Sequence, residues 1–191
     1  MLSGMDDDPL RLPPDLPRPV DDGASDHLPG RSLPGVEVVA SDGAMVNLSV
    51  SRSPWTVVYV YPRTGVPGVD PPTGWDQIPG ARGCTPQSCS FRDVHGELAE
   101  LGATVFGLST QTHEEQVAFA ERERIPFLLL SDPELLLGEA LRLPTFEVDG
   151  IVAYKRMTLI ARRGTIRHVR YPVFPPDQDA DDVLAWLQAA G

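Results

Sequence analysis

Seven consecutive residues, Trp55-Thr56-Val57-Val58-Tyr59-Val60-Tyr61, are all β-branched or aromatic, and they leave neither face of an extended chain markedly polar. Successive side chains of a strand point to opposite faces, so such a run must be covered from both sides and belongs in the middle of a sheet. The rest of the chain supplies the covering layers. Apolar Phe91, Val94, Leu98 and Leu101 keep helical spacing; Thr85 as N-cap and Pro86 at the first helical position predict the start of that helix, and Gly102 its end. Residues 104–108 read as a strand, 114–124 as an amphipathic helix, 127–130 as a short buried strand and 133–141 as a helix. Upstream, residues 36–40 and 45–48 flank Ser41-Asp42-Gly43 in the manner of a β-hairpin. Downstream, strand-forming residues run from 151 to 160 and from 165 to 169 about the turn Arg163-Gly164, ahead of a last helix over 180–189. Alternating strands and helices with a late hairpin predict an α/β fold whose central sheet carries helices on both faces.

Residues 1–30 differ from the remainder. Asp and Pro dominate, with no sustained period of 2 or 3.6, so this stretch is expected to be an acidic, extended or mobile arm preceding a single domain at 31–191. A chain of 191 residues suits one core. The formal net charge of −11 repels phosphate backbones and anionic lipid surfaces, which argues against nucleic acid or a membrane as partner. No apolar stretch approaches the roughly 20 residues needed to span a bilayer, and the amino terminus is acidic where a signal peptide is basic and then apolar. The expectation is a cytoplasmic protein.

Two cysteines cannot form a disulfide framework, and in a reducing compartment such a pair is more often catalytic or redox-sensing. Cys84 would stand at the amino end of the helix that follows it, where unpaired N–H groups and the helix dipole favour a thiolate, the nucleophilic form. Arg82 would add positive potential. Cys89 lies five residues on, which on an intact helix turns its side chain roughly 140° away from that of Cys84. Spacing alone leaves two readings: a reactive pair that meets only when the helix unwinds, or a buried apolar Cys89 and an incidental thiol at position 84. His27, His95, His113 and His168 are scattered, and neither they nor the cysteines offer zinc-ligand spacing.

The segment Gly83-Cys84-Thr85-Pro86-Gln87-Ser88-Cys89-Ser90-Phe91-Arg92-Asp93, following the strand-ending Tyr61-Pro62, resembles the motif of the peroxiredoxins, in particular their bacterioferritin-comigratory or Q-type subgroup. The likeness runs from about Leu33 to Leu187. It implies a thioredoxin-like fold, no cofactor or metal, a hydroperoxide substrate and thioredoxin or a similar dithiol as reductant. It makes Cys84 the peroxidatic cysteine and Cys89 the resolving one, joined in turn by an intramolecular disulfide after Cys84 becomes a sulfenic acid. It also pairs Gln87 with an active-site arginine, which Arg156 of Arg156-Met157-Thr158 matches. A monomer or weak homodimer is expected.

One departure stands out. The family carries a Thr or Ser three residues before the reactive cysteine, and this chain has Ala81. Residues 63–83 put 21 positions between Pro62 and Cys84 where the family pattern has 6, an excess of 15. Thr64, Thr73 or Thr85 would have to supply the missing hydroxyl, and the extra loop, with Trp75 and Ile78 as anchors, is expected to lie over the site. The rival function is a redox sensor or interaction module of the same fold with weak peroxidase activity.

Overall fold

The structure, a computed structural model, describes Leu12 and residues 14–191. Among the described residues, nine strands and five α-helices follow in the order β1 (Glu37–Ala40), β2 (Met45–Asn47), β3 (Trp55–Val60), α1 (Cys84–Asp93), α2 (His95–Glu100), β4 (Ala103–Ser109), α3 (His113–Glu123), β5 (Leu128–Ser131), α4 (Leu136–Leu141), β6 (Thr145–Val148), β7 (Ile151–Tyr154), β8 (Met157–Arg162), β9 (Thr165–Arg170) and α5 (Asp179–Ala190). Seven strands form one mixed sheet in the order β2-β1-β5-β4-β3-β8-β9, while β6 and β7 make a separate hairpin. β3 lies between β4, parallel, and β8, antiparallel, and all its residues are buried.

Alternation along β3 divides the core in two. Trp55, Val57, Tyr59 and Tyr61 enter a cluster with Cys84 and Phe91 of α1, Leu98 of α2, Phe119 of α3, and Ala180, Val183 and Leu187 of α5. Val58 and Val60 enter another with Leu137 and Leu141 of α4 and with Leu28 and Leu33. Helices therefore lie on both faces, in a thioredoxin-like arrangement. Each large side chain buried this way contributes about 1.5–3 kcal/mol through apolar area removed from water. On the α1 side the rings also stack: Tyr59 lies 4.5 Å from Phe91 and 5.4 Å from Tyr61, centroid to centroid.

Several expectations need correction. Thr85 is not the N-cap and Pro86 not the first helical residue: Gly83 turns the chain with left-handed backbone (φ 99°), so α1 already begins at Cys84. The helix foreseen as continuous to Leu101 is broken at Val94, whose backbone (φ −102°, ψ 9°) leaves the helical region. The helix foreseen from Pro133 starts at Leu136, because the buried carboxylate of Asp132 accepts the N–H groups of Leu136, Leu137 and Gly138 at 2.7, 2.9 and 3.1 Å and thereby caps it. Residues 151–160 divide at Lys155-Arg156, and β6 was not foreseen at all.

The core also reaches into the arm. Residues 1–11 and Pro13 lie outside the described part, but Leu28 is fully buried, Gly30 N–H donates to Ile166 O at 2.8 Å, and Asp22 accepts from Lys155 Nζ and Tyr171 Oη, each at 2.7 Å. A boundary at Gly30 therefore cuts through packed structure.

Candidate active site

Cys84 opens α1, and the local sequence allows little else. A side chain at position 83 would sit on the left-handed backbone, collide with Pro176 Cγ and come within 2.9 Å of Leu12 Cδ2. Glycine is required on both counts. Gln87 N–H closes the first helical turn on Gly83 O at 3.1 Å.

Three groups converge on the buried Cys84 Sγ. Arg156 Nη2 donates to it from 3.2 Å and the backbone N–H of Arg63 from 3.4 Å, while the carbonyl of Ala81 lies 3.6 Å away. With the helix amino terminus beneath, two N–H donors face the sulfur.

The position of Arg156 follows from strand register. Val60 of β3 pairs with Met157 of β8, which sets Arg156 beside the end of β3, where the chain leaves the sheet towards Cys84. The side chain is only 3% exposed. Its Nη2 also donates to the carbonyls of Gly80, Ala81 and Arg82 at 3.2, 3.3 and 2.9 Å, tying down the last residues of the extra loop. Its Nη1 donates to Gln87 Oε1. Gln87 in turn donates from Nε2 to Asp179 Oδ2 at 2.8 Å. Asp179 is fully buried and also accepts from Thr158 Oγ1 at 2.6 Å and Arg170 Nε at 2.9 Å.

Cys84, Gln87 and Arg156 thus meet. Cys89, a helical turn and a half further on, is buried elsewhere: its Sγ lies 3.8 Å from Glu123 Oε2 on α3, and both cysteines are free thiols. Burial pushes the Cys89 thiol up to about 11; Arg92 opposes the shift, and Glu123 and Asp93 add to it.

The threonines separate by position. Thr64 is buried, and both its N–H and its hydroxyl donate to Gln111 Oε1, at 2.8 and 3.0 Å. Thr85 is buried within the first turn of α1. Thr73 is exposed, with its N–H bonded to Asp149 Oδ2 at 3.0 Å. All three line a cavity of about 490 Å³ that also reaches Cys84, Arg63, Trp75 and Ile151. The extra loop forms much of its wall. Trp75, in a single 3-10 turn (Trp75–Gln77), packs with Ala81 and Ala153, and its ring lies 5.7 Å from that of Phe146 on β6. Arg82, expected to add to the positive potential, pairs with Asp76 at 2.5 Å and meets the site through its carbonyl. Among the described residues, no group of three or more His, Cys, Asp or Glu could hold a metal ion.

Asp179, Gln111, Glu123 and the N–H of Arg63 were not foreseen. Asp179 lies among Asp177, Asp181 and Asp182, where it looks like any acidic residue at the start of a helix. The N–H of Arg63 carries no sequence signal, since every residue but proline has one.

The chain is similar to known proteins over most of its length. Residues 28–184 match the family model described as Redoxin. Peroxiredoxin Bcp of Escherichia coli (strain K12) is 33% identical over 174 residues, covering 86% of this chain and 95% of that protein. Peroxiredoxin Bcp of Bacillus subtilis (strain 168) is 35% identical over 111 residues, covering 58% of this chain and 61% of that protein, so this match spans less than two thirds of the relative. The crystal structure of peroxidoxin BcpB from Mycobacterium tuberculosis superposes with a TM-score of 0.71 at 28% identity, covering 86% of this chain and 99% of that one. The chain therefore belongs to the redoxin family and, within it, to the Bcp-type peroxiredoxins, which are thiol-dependent peroxidase oxidoreductases.

Proposed function

We propose that this chain reduces hydrogen peroxide and organic hydroperoxides, with Cys84 as nucleophile, Cys89 as resolving cysteine and thioredoxin or a similar dithiol protein as reductant. The observation that carries the reading is the convergence of Arg156 Nη2 and the Arg63 N–H on Cys84 Sγ at the start of α1. The Cys84 thiolate attacks the terminal oxygen of ROOH and the O–O bond breaks. Cys84 becomes a sulfenic acid, and the RO⁻ released takes a proton to leave as ROH. The same two donors that hold the thiolate face the oxygens as negative charge moves onto them, so they stabilise the transition state as well as the ground state. The Cys89 thiol then condenses with the sulfenic acid, water leaves, and the disulfide formed is exchanged with the external dithiol.

Ala81 favours a second reading, a redox sensor of the same fold that reacts slowly with peroxide. Its methyl group packs against Trp75 and Ala153 and offers no hydroxyl. Rates separate the two readings. An enzyme gives fast, repeated peroxide consumption with thioredoxin and its reductase, and a sensor a slow single oxidation.

For the enzyme, Cys84→Ser abolishes consumption, since a hydroxyl supplies almost no anion near neutral pH. Cys89→Ser takes up about one equivalent of peroxide and then over-oxidises at Cys84 to sulfinic acid, seen as added oxygen by mass spectrometry. Normal turnover by Cys84→Ser refutes the assignment of the nucleophile. Absence of oxygen on Cys84 in the second variant refutes the role of Cys89.

A further inference from the structure

We infer that Asp179 is a positioning residue for peroxide reduction, holding Gln87 in the one amide orientation that presents an acceptor to Arg156. The inference rests on the reading of Cys84 and Arg156 as the reacting pair.

A glutamine amide is nearly symmetric in shape, with an oxygen on one side and an NH₂ on the other, and its partners decide which way it faces. Gln87 is fully buried and stands between a guanidinium, which only donates, and the carboxylate of Asp179. An ionised carboxylate only accepts. Asp179 is ion-paired with Arg170 at 2.9 Å and accepts the hydroxyl of Thr158 at 2.6 Å besides the Gln87 amide at 2.8 Å, so every group against it is a donor. Gln87 can then meet Asp179 only through Nε2, which turns Oε1 towards Arg156 Nη1. With Nη1 held there, Nη2 lies 3.2 Å from Cys84 Sγ. A neutral residue faces the guanidinium, and the balancing negative charge sits one hydrogen bond behind it.

Replacing Asp179 by asparagine reverses the logic. Arg170 still requires an acceptor, so Oδ1 of the new amide faces Arg170 and its NH₂ faces Gln87 and Thr158. Gln87 must then offer Oε1 to position 179 and its own NH₂ to Arg156, a donor against a donor. Gln87→Glu added to Asp179→Asn removes the conflict, because a glutamate accepts from both neighbours. Gln87→Glu alone creates another, setting two carboxylates face to face in a buried space.

The test measures Cys84 oxidation by hydrogen peroxide in rapid mixing, together with thiolate absorbance against pH, on the full chain. A hydrogen bond to a charged group is worth enough that Asp179→Asn should slow oxidation roughly tenfold or more. The same variant should move the Cys84 thiolate midpoint upward. Asp179→Asn with Gln87→Glu should return both towards the parent, and Gln87→Glu alone should be slow. Asp182→Asn, which removes the exposed outer partner of Arg170 (2.6 Å), should change neither. A purely structural role for Asp179 predicts no rescue, so a double variant as slow as Asp179→Asn overturns the inference, as does an Asp179→Asn that behaves like the parent. Should Asp179→Asn fail to fold, Gln87→Glu decides, and a parent-like rate there refutes it. A parent protein that takes no oxygen on Cys84 overturns the peroxidase reading instead, while the thiolate midpoints of the same variants still decide on Asp179.

Discussion

Cys89 Sγ lies 3.8 Å from Glu123 Oε2, so the second cysteine of α1 faces an acidic side chain of α3 in the reduced protein. Both cysteines are helical residues of α1. Five helical residues separate positions by about 7.5 Å of rise and roughly 140° of rotation, beyond the reach of a disulfide between side chains that diverge. A Cys84–Cys89 bond therefore requires α1 to give up its first turns and Cys89 to leave Glu123. Phe91, stacked on Tyr59 at 4.5 Å, is the next core anchor down the helix and marks where unwinding meets resistance.

Hydrogen exchange on reduced and peroxide-treated protein should accordingly show loss of protection over residues 87–90 on oxidation, with protection regained after reduction. The exchange of β3 and β4 should not change. Equal protection of α1 in the two forms would exclude the intramolecular bond.

The raised Cys89 thiol gives a pH dependence with a definite sign. The thiol titrates near 9.0 when unfolded and about 11 in the native helix, so the folded state holds its proton more tightly. The associated stability is complete below pH 9 and is lost as pH rises through 11. Thermal midpoints measured from pH 8 to pH 11 should fall more steeply for the parent than for Cys89→Ala. Parallel curves would mean that the thiol is not desolvated in solution.

The contrast between Cys84 and Cys89 bears on what the sequence could show. The two-faced run at 55–61 dictates a covered central strand, and the helix after Gly83 places one cysteine at its amino end; both follow from local patterning. The partners of those cysteines do not. Arg156 reaches Cys84, 72 positions away in the chain, through the pairing of Val60 with Met157, for which periodicity gives no sign, and only the family motif singles it out among Lys155, Arg162, Arg163, Arg167 and Arg170. β6 gives a weaker signal than the other strands: Thr145-Phe146-Glu147-Val148 is only four residues long, and its apolar Phe146 and Val148 are half-buried against Trp75 and Ala81 of the extra loop rather than in the main core. Helix starts differ from the sequence expectation by up to three residues where a left-handed glycine, or a carboxylate four to six residues upstream, rather than the nearest Thr or Pro, sets the first turn.

Arg156 and Arg163 make a matched pair of controls. Arg156 is buried against Cys84, whereas Arg163 is exposed on the turn between β8 and β9. Arg156→Met should raise the Cys84 thiolate midpoint and slow peroxide attack by roughly tenfold to a hundredfold, the scale of one charged hydrogen bond removed from a buried site. Arg163→Met should do neither. Thiolate absorbance against pH reads the first effect and rapid-mixing oxidation the second; identical behaviour of the two variants would remove Arg156 from the chemistry.

The extra loop offers the last test, because its parts are built for different tasks. Residues 66–70 are exposed and form only the rim of the cavity, whereas Trp75 packs with Ala81, whose carbonyl accepts from Arg156 at 3.3 Å. Replacing 66–70 by a short Gly-Ser link should thus leave the reaction with hydrogen peroxide intact and change the rate for a bulky organic hydroperoxide, which has to pass that rim. Trp75→Ala removes the anchor: the backbone of Gly80, Ala81 and Arg82 loosens, Arg156 Nη2 loses fixed acceptors, and both peroxides should react more slowly. Global stability should fall by less than the roughly 3–5 kcal/mol of a main-core tryptophan, since Trp75 lies in a satellite cluster. Thr64→Val should slow both peroxides if its buried hydroxyl, oriented by Gln111, serves in place of the hydroxyl missing at Ala81; Thr73→Val, on the exposed side, should not. Rates for the two peroxides that stay in constant ratio across the rim deletion would show that the loop does not select substrate, and a fast Trp75→Ala would show that the Arg156 clamp does not depend on it.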